Sequence, residues 1–557
     1  MIAKDSLEFF ASILDRIPDL LPAQALVAAD TPLADDLPFL DPSAHPSDPE
    51  RATIVAVIDH AIPFAHPLFT TRGGRSRMAA IWLMEAQAVQ RRHDIAFGRE
   101  LRGTEIDALC RPGDAEAAYR DCGLMNVNAS FSMAHAESHG AAVAALAGGH
   151  DPDDESGRAF PLLAVSLPQS VLADTTGSLA GLFLQMAVTF IIARARALAR
   201  EMSQLSNRNI RPSLVVNLSM GVSAGADDGS ALLTRLQDAI VTQTGWELGP
   251  VFFVLPTGNH RQDRLRAHLA VGQAIGWQIP PADPTLNAIE IWGAPGEALP
   301  QVEIGTPDGM RLVVPLKRTG SGQIIDAKGT PLARVVLQRR GGSSGRPVMT
   351  IVLPPTLPAS LHDVSAPPGL WHLRLIQTGP SGCDLAVHRD DRLPGFRGQG
   401  RQSRLVEPGY PPRTDTGRWQ GADDPTTVGL IRRNGTANVY ARGKHQIRVG
   451  ASLARPAGRI SAYTALLPDG SAGDVTAPAD TSTTLPGMSL PGIAPASRQR
   501  MSGTSLSAPQ LSRWLSAALA NGTLISDRET LRTALEQDFR LPDLGMPELP
   551  WRCGLTD

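Results

Sequence analysis

The seven-residue run Thr53–Asp59, TIVAVID, constrains the fold most strongly, because apolar side chains occupy both faces of its centre. A strand with one face in water alternates apolar and polar residues, whereas a strand of a parallel sheet is buried on both faces. Two further runs of this kind, PSLVVNLSMG (212–221) and PVFFVLPTGN (250–259), are separated by helical patterns. Strands that alternate with helices predict an α/β fold with a parallel sheet flanked by helices.

This alternation stops between about 285 and 435. The chain there offers short strand patterns such as NAIEIWGA, RLVVPLK and PVMTIVLP, separated by Gly, Pro, Ser and Asp turns. Such spacing, without helical patterns between the strands, indicates an all-β sandwich or jelly-roll insert. We predict four segments: an N-terminal extension (1–50), a first α/β part (51–265), the β insert (266–440) and a second α/β part with a C-terminal tail (441–557).

Charge and cysteine content exclude several classes of protein. Lys and Arg number 52, and Asp and Glu number 55, which gives a formal net charge of −3. A chain so close to neutral is expected to bind neither nucleic acid nor an anionic membrane. The four cysteines form no C-x-x-C pair and are too few for a disulfide framework in 557 residues.

We predict neither a secretory leader nor a membrane span. The N-terminal MIAKDSLEFFASILDRIPDLL has acidic residues where a signal peptide has a basic start and an unbroken apolar core. Gln185, Thr189 and Arg194 interrupt the apolar stretch 179–198, so we expect a buried helix there. These features predict a cytoplasmic protein.

Four polar residues stand where strands end and helices begin. Asp59 ends the first strand and Asn259 ends another, while His139 opens HGAAVAALAGG and Ser505 opens the last amphipathic helix. The carboxyl ends of parallel strands are where α/β folds place functional groups. A carboxylate, a histidine, a serine and an amide donor are the groups that serine acyl transfer requires.

The motifs around these residues resemble those of the subtilisin-like serine proteases (subtilases). GTSLSAP around Ser505 is close to the family's G-T-S-x-[AS]-[AS]-P, and SHGAAVAALAGG around His139 is similar to H-G-T-x-V-A-x-x-x-A-G. VVNLSMG, PTGN and AGDVTAPAD look like the family's cleft strand, its oxyanion-hole segment and its D-V-x-A-P-G motif. The order Asp, His, Ser is that of subtilisin. The resemblance covers about 51–265 and 440–550, and related bacterial proteases carry a jelly-roll in this place.

The resemblance implies a serine endopeptidase with a subtilisin-like sheet and a role for each of the four residues. Ser505 would attack the peptide carbonyl, and His139 would take its proton and return it to the leaving amine. Asp59 would orient His139, and Asn259 would hold the oxyanion. Two positions depart from the family pattern: DHA follows the strand where Ser or Thr and then Gly are usual, and Ala follows the HG pair.

The expected partner is a protein or peptide substrate. Backbone pairing with an extended peptide is implied for three residues, Ser219, Met220 and Gly221. A regulatory protein is a second partner that we consider. No redox cofactor or metal is implied; calcium is common in the family, but the sequence offers no convincing ligand loop.

Several alternatives stay open at this point. Ser505 also suits a helix N-cap. His135 and His139 have the spacing of zinc-binding helices, although HAESH is not H-E-x-x-H. The two departures keep open a pseudoprotease, a binding module on the same scaffold. A further hypothesis makes the β insert a carbohydrate- or protein-binding module, but its prominent aromatic residues are few: Trp292, Trp371 and Phe396.

Overall fold

The structure is a computed structural model, and it describes most of the chain. The described residues are 37–87, 95, 97–111, 114, 116–128, 132–173, 180–243, 245, 247–314, 318–340, 345–358, 360, 364–388, 401–423 and 429–538. Residues 1–36 of the predicted N-terminal extension and residues 539–557 of the C-terminal tail lie outside these residues.

The strands and helices of the described residues are numbered in chain order. The strands are β1 (Thr53–Asp59), β2 (Met78–Leu83), β3 (Arg99–Arg102), β4 (Leu162–Ser166), β5 (Ser213–Leu218), β6 (Val251–Pro256), β7 (Arg266–Leu269), β8 (Ala274–Ile279), β9 (Asn287–Trp292), β10 (Gln301–Gly305), β11 (Arg311–Val313), β12 (Gly320–Ile325), β13 (Pro331–Arg340), β14 (Arg346–Leu353), β15 (Gly369–Gln377), β16 (Cys383–Val387), β17 (Arg404–Val406), β18 (Ile431–Arg432), β19 (Ile447–Leu453), β20 (Val475–Asp480), β21 (Met488–Pro491) and β22 (Arg498–Met501). The α-helices are α1 (Gly103–Leu109), α2 (Glu116–Asp121), α3 (His139–Gly148), α4 (Gln169–Ala173), α5 (Ala180–Ser206), α6 (Leu232–Val241), α7 (Thr504–Ala520) and α8 (Arg528–Asp538).

The chain forms two compact units. The first contains described residues within 37–268, 384–388 and 404–538, and the second contains those within 269–383 and 401–403. The domain borders predicted after residues 265 and 440 were drawn from sequence patterns, and they stay a prediction.

An eight-stranded sheet organises the first unit, in the order β20-β19-β6-β5-β1-β4-β2-β3. Neighbouring strands run parallel, except that β2 and β3 pair antiparallel at one edge. Every residue of β1 is buried, as the apolar residues on both of its faces predict. The predicted α/β fold, a parallel sheet flanked by helices together with antiparallel β sheets, is therefore confirmed and is consistent with a subtilisin-like fold carrying a β insert.

Helices α3 and α7 pack against each other and against β1. Their contact is built from small and aliphatic side chains, among them Ala142, Leu146 and Leu506, in one buried cluster. Small residues let helix α3 approach its neighbours closely: a Cβ atom on Gly148 would lie 2.2 Å from Leu162 Cδ2. The start of α3 lies at the end of β1 and the start of α7 lies beside the residue that follows β5, so both helices begin at the carboxyl ends of the parallel strands.

Helix α5 is the one described helix that is long and apolar enough to cross a bilayer by length and composition. Its most apolar window has a mean hydropathy of 1.5, but 61% of that window is buried inside the protein. The helix packs against β1 and β4, and Arg194 forms a fully buried ion pair with Glu100. The predicted buried helix is thus observed.

The second unit is built from antiparallel strands. Within it the strands run β12-β13-β14-β9 in one sheet and β11-β10-β15-β8 in another. No helix occurs among its described residues. Trp292 and Trp371 are only 2% and 1% exposed, so neither ring is available to stack on a sugar, and Phe396 lies outside the described residues.

Candidate active site

Asp59 and His139 form a buried pair at the carboxyl end of β1. Asp59 is the last residue of the strand and His139 is the first residue of α3. The two residues are 0% and 1% exposed, and His139 Nδ1 lies 2.8 Å from each carboxylate oxygen of Asp59. A carboxylate only accepts hydrogen bonds, so this contact places the proton on Nδ1 and leaves Nε2 to accept another.

Three local features bring the start of α3 to the end of β1. Ser138 caps the helix by accepting a hydrogen bond from the Ala141 N–H at 2.9 Å, and its hydroxyl donates to the carbonyl of Ala61 at 2.8 Å. Gly140 is required because a Cβ atom there would lie 1.9 Å from the carbonyl oxygen of His60. Ala61 adopts a φ of +43°, a left-handed conformation that glycine adopts more easily.

The Asp59 carboxyl is held in its charged form. Burial raises its pKa, but the neighbouring His139 and the hydrogen bonds from His139 and His60 outweigh burial and hold the pKa well below its ordinary value. Asp59 is therefore a carboxylate across the neutral range and acts as a hydrogen-bond acceptor for an imidazole.

Ser505 is the second residue of α7, not its N-cap. The N-cap is Gly503, at a φ of +134°, and it has no side chain to satisfy the helix. The N-cap alternative for Ser505 is therefore wrong. Near a helix start, backbone N–H groups lack helical acceptors and carry partial positive charge, so an anion formed at Ser505 would be favoured.

Asn259 supplies the cap that Gly503 cannot. Its Oδ1 accepts hydrogen bonds from the N–H and the hydroxyl of Thr504, at 2.9 and 3.0 Å. Because an N–H can donate only to the oxygen, this contact also fixes the orientation of the amide, with Nδ2 on the other side. A Cβ atom on Gly503 would lie 3.2 Å from Asn259 Nδ2 and 3.3 Å from Ser505 Oγ, so both groups border the same small space.

The side chain of Ser219 contacts the backbone of Ser505, the candidate nucleophile. Pro509, four residues after Ser505 in α7, has no N–H to donate to the Ser505 carbonyl. The Ser219 hydroxyl donates to this carbonyl at 2.9 Å, and the Asn217 side-chain amide donates to the Ser219 hydroxyl at 2.9 Å. The side chain of Ser219 is thus part of the support of Ser505.

The other two residues predicted to bind substrate lie beside Asn438. Its Nδ2 donates to the carbonyls of Met220 and Pro256, at 3.2 and 3.3 Å. A Cβ atom on Gly221 would lie 2.1 Å from the Asn438 side chain. Asn438 therefore links the segment that follows β5 to the end of β6. It lies about 200 positions from both, and no local sequence pattern indicates these contacts.

The predicted residues form two groups at the carboxyl ends of the parallel strands. Asp59 and His139 make one group, and Ser505, Asn259 and Ser219 make the other. His139 lies on α3 and Ser505 on α7, and these two helices pack against each other. Among the described residues, His139 Nε2 is buried without a hydrogen-bond partner. This nitrogen is the atom that a general base would present to a serine hydroxyl.

The fold resembles that of a solved protease. The chain matches the structure of the Clostridium perfringens CspB protease with a TM-score of 0.59 and 15% sequence identity, over 90% of this chain and 92% of that chain. No protein-family model matches the chain, and no curated protein matches it. The likeness establishes the fold, whereas function has to be argued from the site.

One group of potential metal ligands occurs among the described residues. Asp59, His60 and His139 place their ligand atoms within 4.8 Å of one another. Asp59 Oδ1 lies at hydrogen-bond distance from Nδ1 of both histidines, so two N–H groups account for this geometry. His135 precedes the first residue of α3, so the zinc alternative, which needs His135 and His139 one turn apart on a helix, is wrong.

A buried network next to Gly503 was missing from the sequence prediction. The Gly503 N–H donates to the hydroxyl of Tyr463 at 3.0 Å, and that hydroxyl donates to Asp480 Oδ2 at 2.7 Å. Burial and the adjacent Asp480 raise the pKa of Tyr463 far above its usual value, so the hydroxyl stays protonated. The only sequence signal is that Asp480 directly follows the DVTAPA run, which by itself does not indicate a partner.

Proposed function

We propose that the chain is a serine endopeptidase of the subtilisin-like class. One observation carries the proposal: a fully buried carboxylate holds His139 by Nδ1, and helix α3 with this histidine packs against helix α7, where Ser505 and Asn259 stand together. Most buried polar side-chain atoms have a hydrogen-bond partner, so an atom without one calls for an explanation. His139 keeps a buried Nε2 without a partner among the described residues.

In this mechanism Ser505 Oγ attacks the carbonyl carbon of a peptide bond while His139 Nε2 removes its proton. Asp59 keeps the imidazole in the required tautomer and stabilises the imidazolium that forms. Asn259 Nδ2 and the backbone N–H of Ser505 donate to the carbonyl oxygen as it gains charge. His139 then protonates the leaving amine, and the acyl group stays on Ser505 Oγ as an ester. A water molecule that gives a proton to His139 Nε2 attacks the ester carbon, and the proton passes to Ser505 Oγ as the carboxylic acid leaves.

The substrate is a protein or peptide in an extended conformation. The backbone of Ser219, Met220 and Gly221 is the proposed pairing edge, which suits β-strand addition. A cleft beside His60 has a mixed lining of apolar side chains, among them Ile62, Leu124 and Met133, and polar ones, among them Glu85, Asn126 and Gln169. Such a lining, with apolar surface and a few polar groups, suits the side chains of a peptide. We further propose a cytoplasmic location.

Cleavage of an unfolded protein by wild type, Ser505→Ala and Ser516→Ala tests the proposal. Ser516 is the matched control: it is a buried serine on the same helix, and its hydroxyl donates to the Ser512 carbonyl away from the site. We expect new N-termini with wild type and Ser516→Ala, and none with a folded Ser505→Ala. Equal cleavage by Ser505→Ala contradicts the mechanism. Wild type that binds the substrate without cutting it supports the pseudoprotease instead.

A further inference from the structure

The residue after Asp59 adds a second imidazole to the carboxylate. His60 donates its backbone N–H to Asp59 Oδ1 at 2.9 Å, and its side-chain Nδ1 lies 3.1 Å from the same oxygen. His139 Nδ1 approaches Oδ1 and Oδ2 at 2.8 Å. Three N–H groups from two residues therefore surround one carboxylate, whereas the subtilase pattern has Ser or Thr at the position of His60.

The arrangement assigns the proton of His60. A carboxylate oxygen cannot donate, so the 3.1 Å contact is a hydrogen bond only if Nδ1 of His60 carries the proton. Burial lowers the pKa of His60, so the ring is neutral at neutral pH and is a directional donor, not a cation. The ring is 3% exposed, and it stacks at 6.0 Å between centroids and 11° between planes against His139.

The backbone of His60 cannot move independently of helix α3. Its carbonyl oxygen lies where a Cβ atom of Gly140 would be, at 1.9 Å, and the next carbonyl, that of Ala61, accepts a hydrogen bond from Ser138 at 2.8 Å. The ring of His60 is thus fixed in relation to both Asp59 and His139. A fixed donor on Oδ1 restricts rotation of the carboxylate about its Cβ–Cγ bond.

We propose that His60 is a positioning residue: its Nδ1–H holds the Asp59 carboxylate in the orientation that accepts the Nδ1–H of His139. This inference rests on the proposed serine endopeptidase function. His60 also lines the cleft beside the site, but its Nδ1–H is directed at Asp59, so this hydrogen bond acts on the reaction through Asp59 and His139. An interaction that acts on the base changes the chemical step and leaves binding of the ground state alone.

Two substitutions separate the donor from the bulk of the ring. The Nδ2 of asparagine stands at the same bonded distance from Cβ as the Nδ1 of histidine, so His60→Asn keeps the donor, and His60→Leu removes it. We expect His60→Leu to lower kcat about 10-fold with KM unchanged, the size expected for one hydrogen bond to a charged group. His60→Asn should stay within about 2-fold of wild type. His66→Asn is the matched control, since His66 is another buried histidine of the same loop.

The outcomes distinguish the inference from the proposed function. His60→Leu with the kcat of wild type, or His60→Asn as impaired as His60→Leu, overturns the positioning role. If His60→Leu does not fold, His60→Gln replaces it, because its amide nitrogen reaches the place of Nε2 and not that of Nδ1; the same loss of kcat is then expected.

A second measurement does not depend on turnover. In protein carrying ¹⁵N-labelled histidine, we expect the nitrogen resonance of His60 Nδ1 to be that of a protonated ring nitrogen at neutral pH, and to be absent in His60→Asn. An unprotonated Nδ1 overturns the inference even if wild type cleaves protein. A wild type that never cleaves removes the proposed function, and the protonation of Nδ1 still decides whether His60 donates to Asp59.

Discussion

At the scale of single residues, Asn259 combines two roles that the sequence presents as alternatives. Its oxygen caps helix α7 through Thr504, and its nitrogen stands beside Gly503 and Ser505. An Asn at the end of a strand predicts either a cap or a donor, and a sequence pattern cannot show that one amide does both. The two ends of the amide can, however, be removed separately.

We predict that Asn259→Leu lowers both kcat and thermal stability, whereas Asn259→Asp lowers kcat and keeps the cap. Aspartate retains an oxygen for the Thr504 N–H but has no donor for an oxyanion. Loss of one such donor is expected to lower kcat by roughly 100- to 1000-fold with KM nearly unchanged. Steady-state kinetics on a peptide and a melting curve measure both effects. Normal kcat in folded Asn259→Asp would show that Asn259 acts only as a helix cap.

His60 shows why part of the site could not be predicted. The strand TIVAVID and its terminal Asp59 follow from local patterning, because burial on both faces has a sequence signature. The direction of the next side chain depends on the turn, and Ala61 takes a left-handed φ that a sequence rule assigns to glycine. The contact between His60 and Asp59 therefore becomes visible only in the folded chain.

At the scale of elements, the first turns of helix α7 depend on strand β5. Pro509 removes the N–H that would bond to the Ser505 carbonyl, and the Ser219 hydroxyl after β5 replaces it. The pattern of residues 212–221 predicted a buried strand and a substrate-binding segment. The strand is observed as β5. The support of Ser505 by Ser219 was not predictable, because the two residues are 286 positions apart.

A double-mutant cycle tests this support. Ser219→Ala leaves a buried carbonyl without a donor and should lower the free energy of unfolding by about 1–3 kcal/mol. Pro509→Ala restores a backbone N–H four residues after Ser505, so the Ser219→Ala, Pro509→Ala double mutant should recover part of that loss. Denaturant unfolding of the four proteins gives the coupling. Additive effects would show that the hydroxyl and the missing N–H do not serve the same carbonyl.

At the scale of the whole molecule, the chain shares its fold with a solved protease although the two sequences differ at most positions. The chain shares 15% identity with a solved protease across 90% of its length. The patterns that predicted the fold are short: buried strands, a helix of small residues and a few polar residues at strand and helix ends. Packing of α3 against α7 brings them together, and long-range contacts such as that of Asn438 complete the arrangement.

Acid should destabilise the first unit through the buried residue His66. His66 Nδ1 accepts the Leu68 N–H at 3.1 Å, and burial lowers the pKa of His66 to about 4. Between pH 6.5 and 4 the unfolded chain binds a proton that the native chain does not, so the free energy of unfolding falls as pH falls through this window. Each unit of pKa shift corresponds to roughly 1.4 kcal/mol, which limits the effect to a few kcal/mol.

The variant His66→Asn isolates this effect. The Oδ1 of asparagine takes the place of Nδ1 as the acceptor for Leu68 and does not titrate in this range. Melting temperatures of wild type and variant, measured from pH 7 to pH 4, should separate with the variant losing less. Parallel curves would show that His66 does not contribute to acid destabilisation.

The central claim is that Ser505 is an activated nucleophile, and a fluorophosphonate probe tests it most directly, because only an activated serine reacts. Peptide mass spectrometry of the labelled wild-type protein should place a single adduct on Ser505. Labelling should persist in Ser516→Ala and be lost in folded His139→Ala, which removes the base. No adduct on wild type, an adduct on a different serine, or undiminished labelling of His139→Ala would contradict the account.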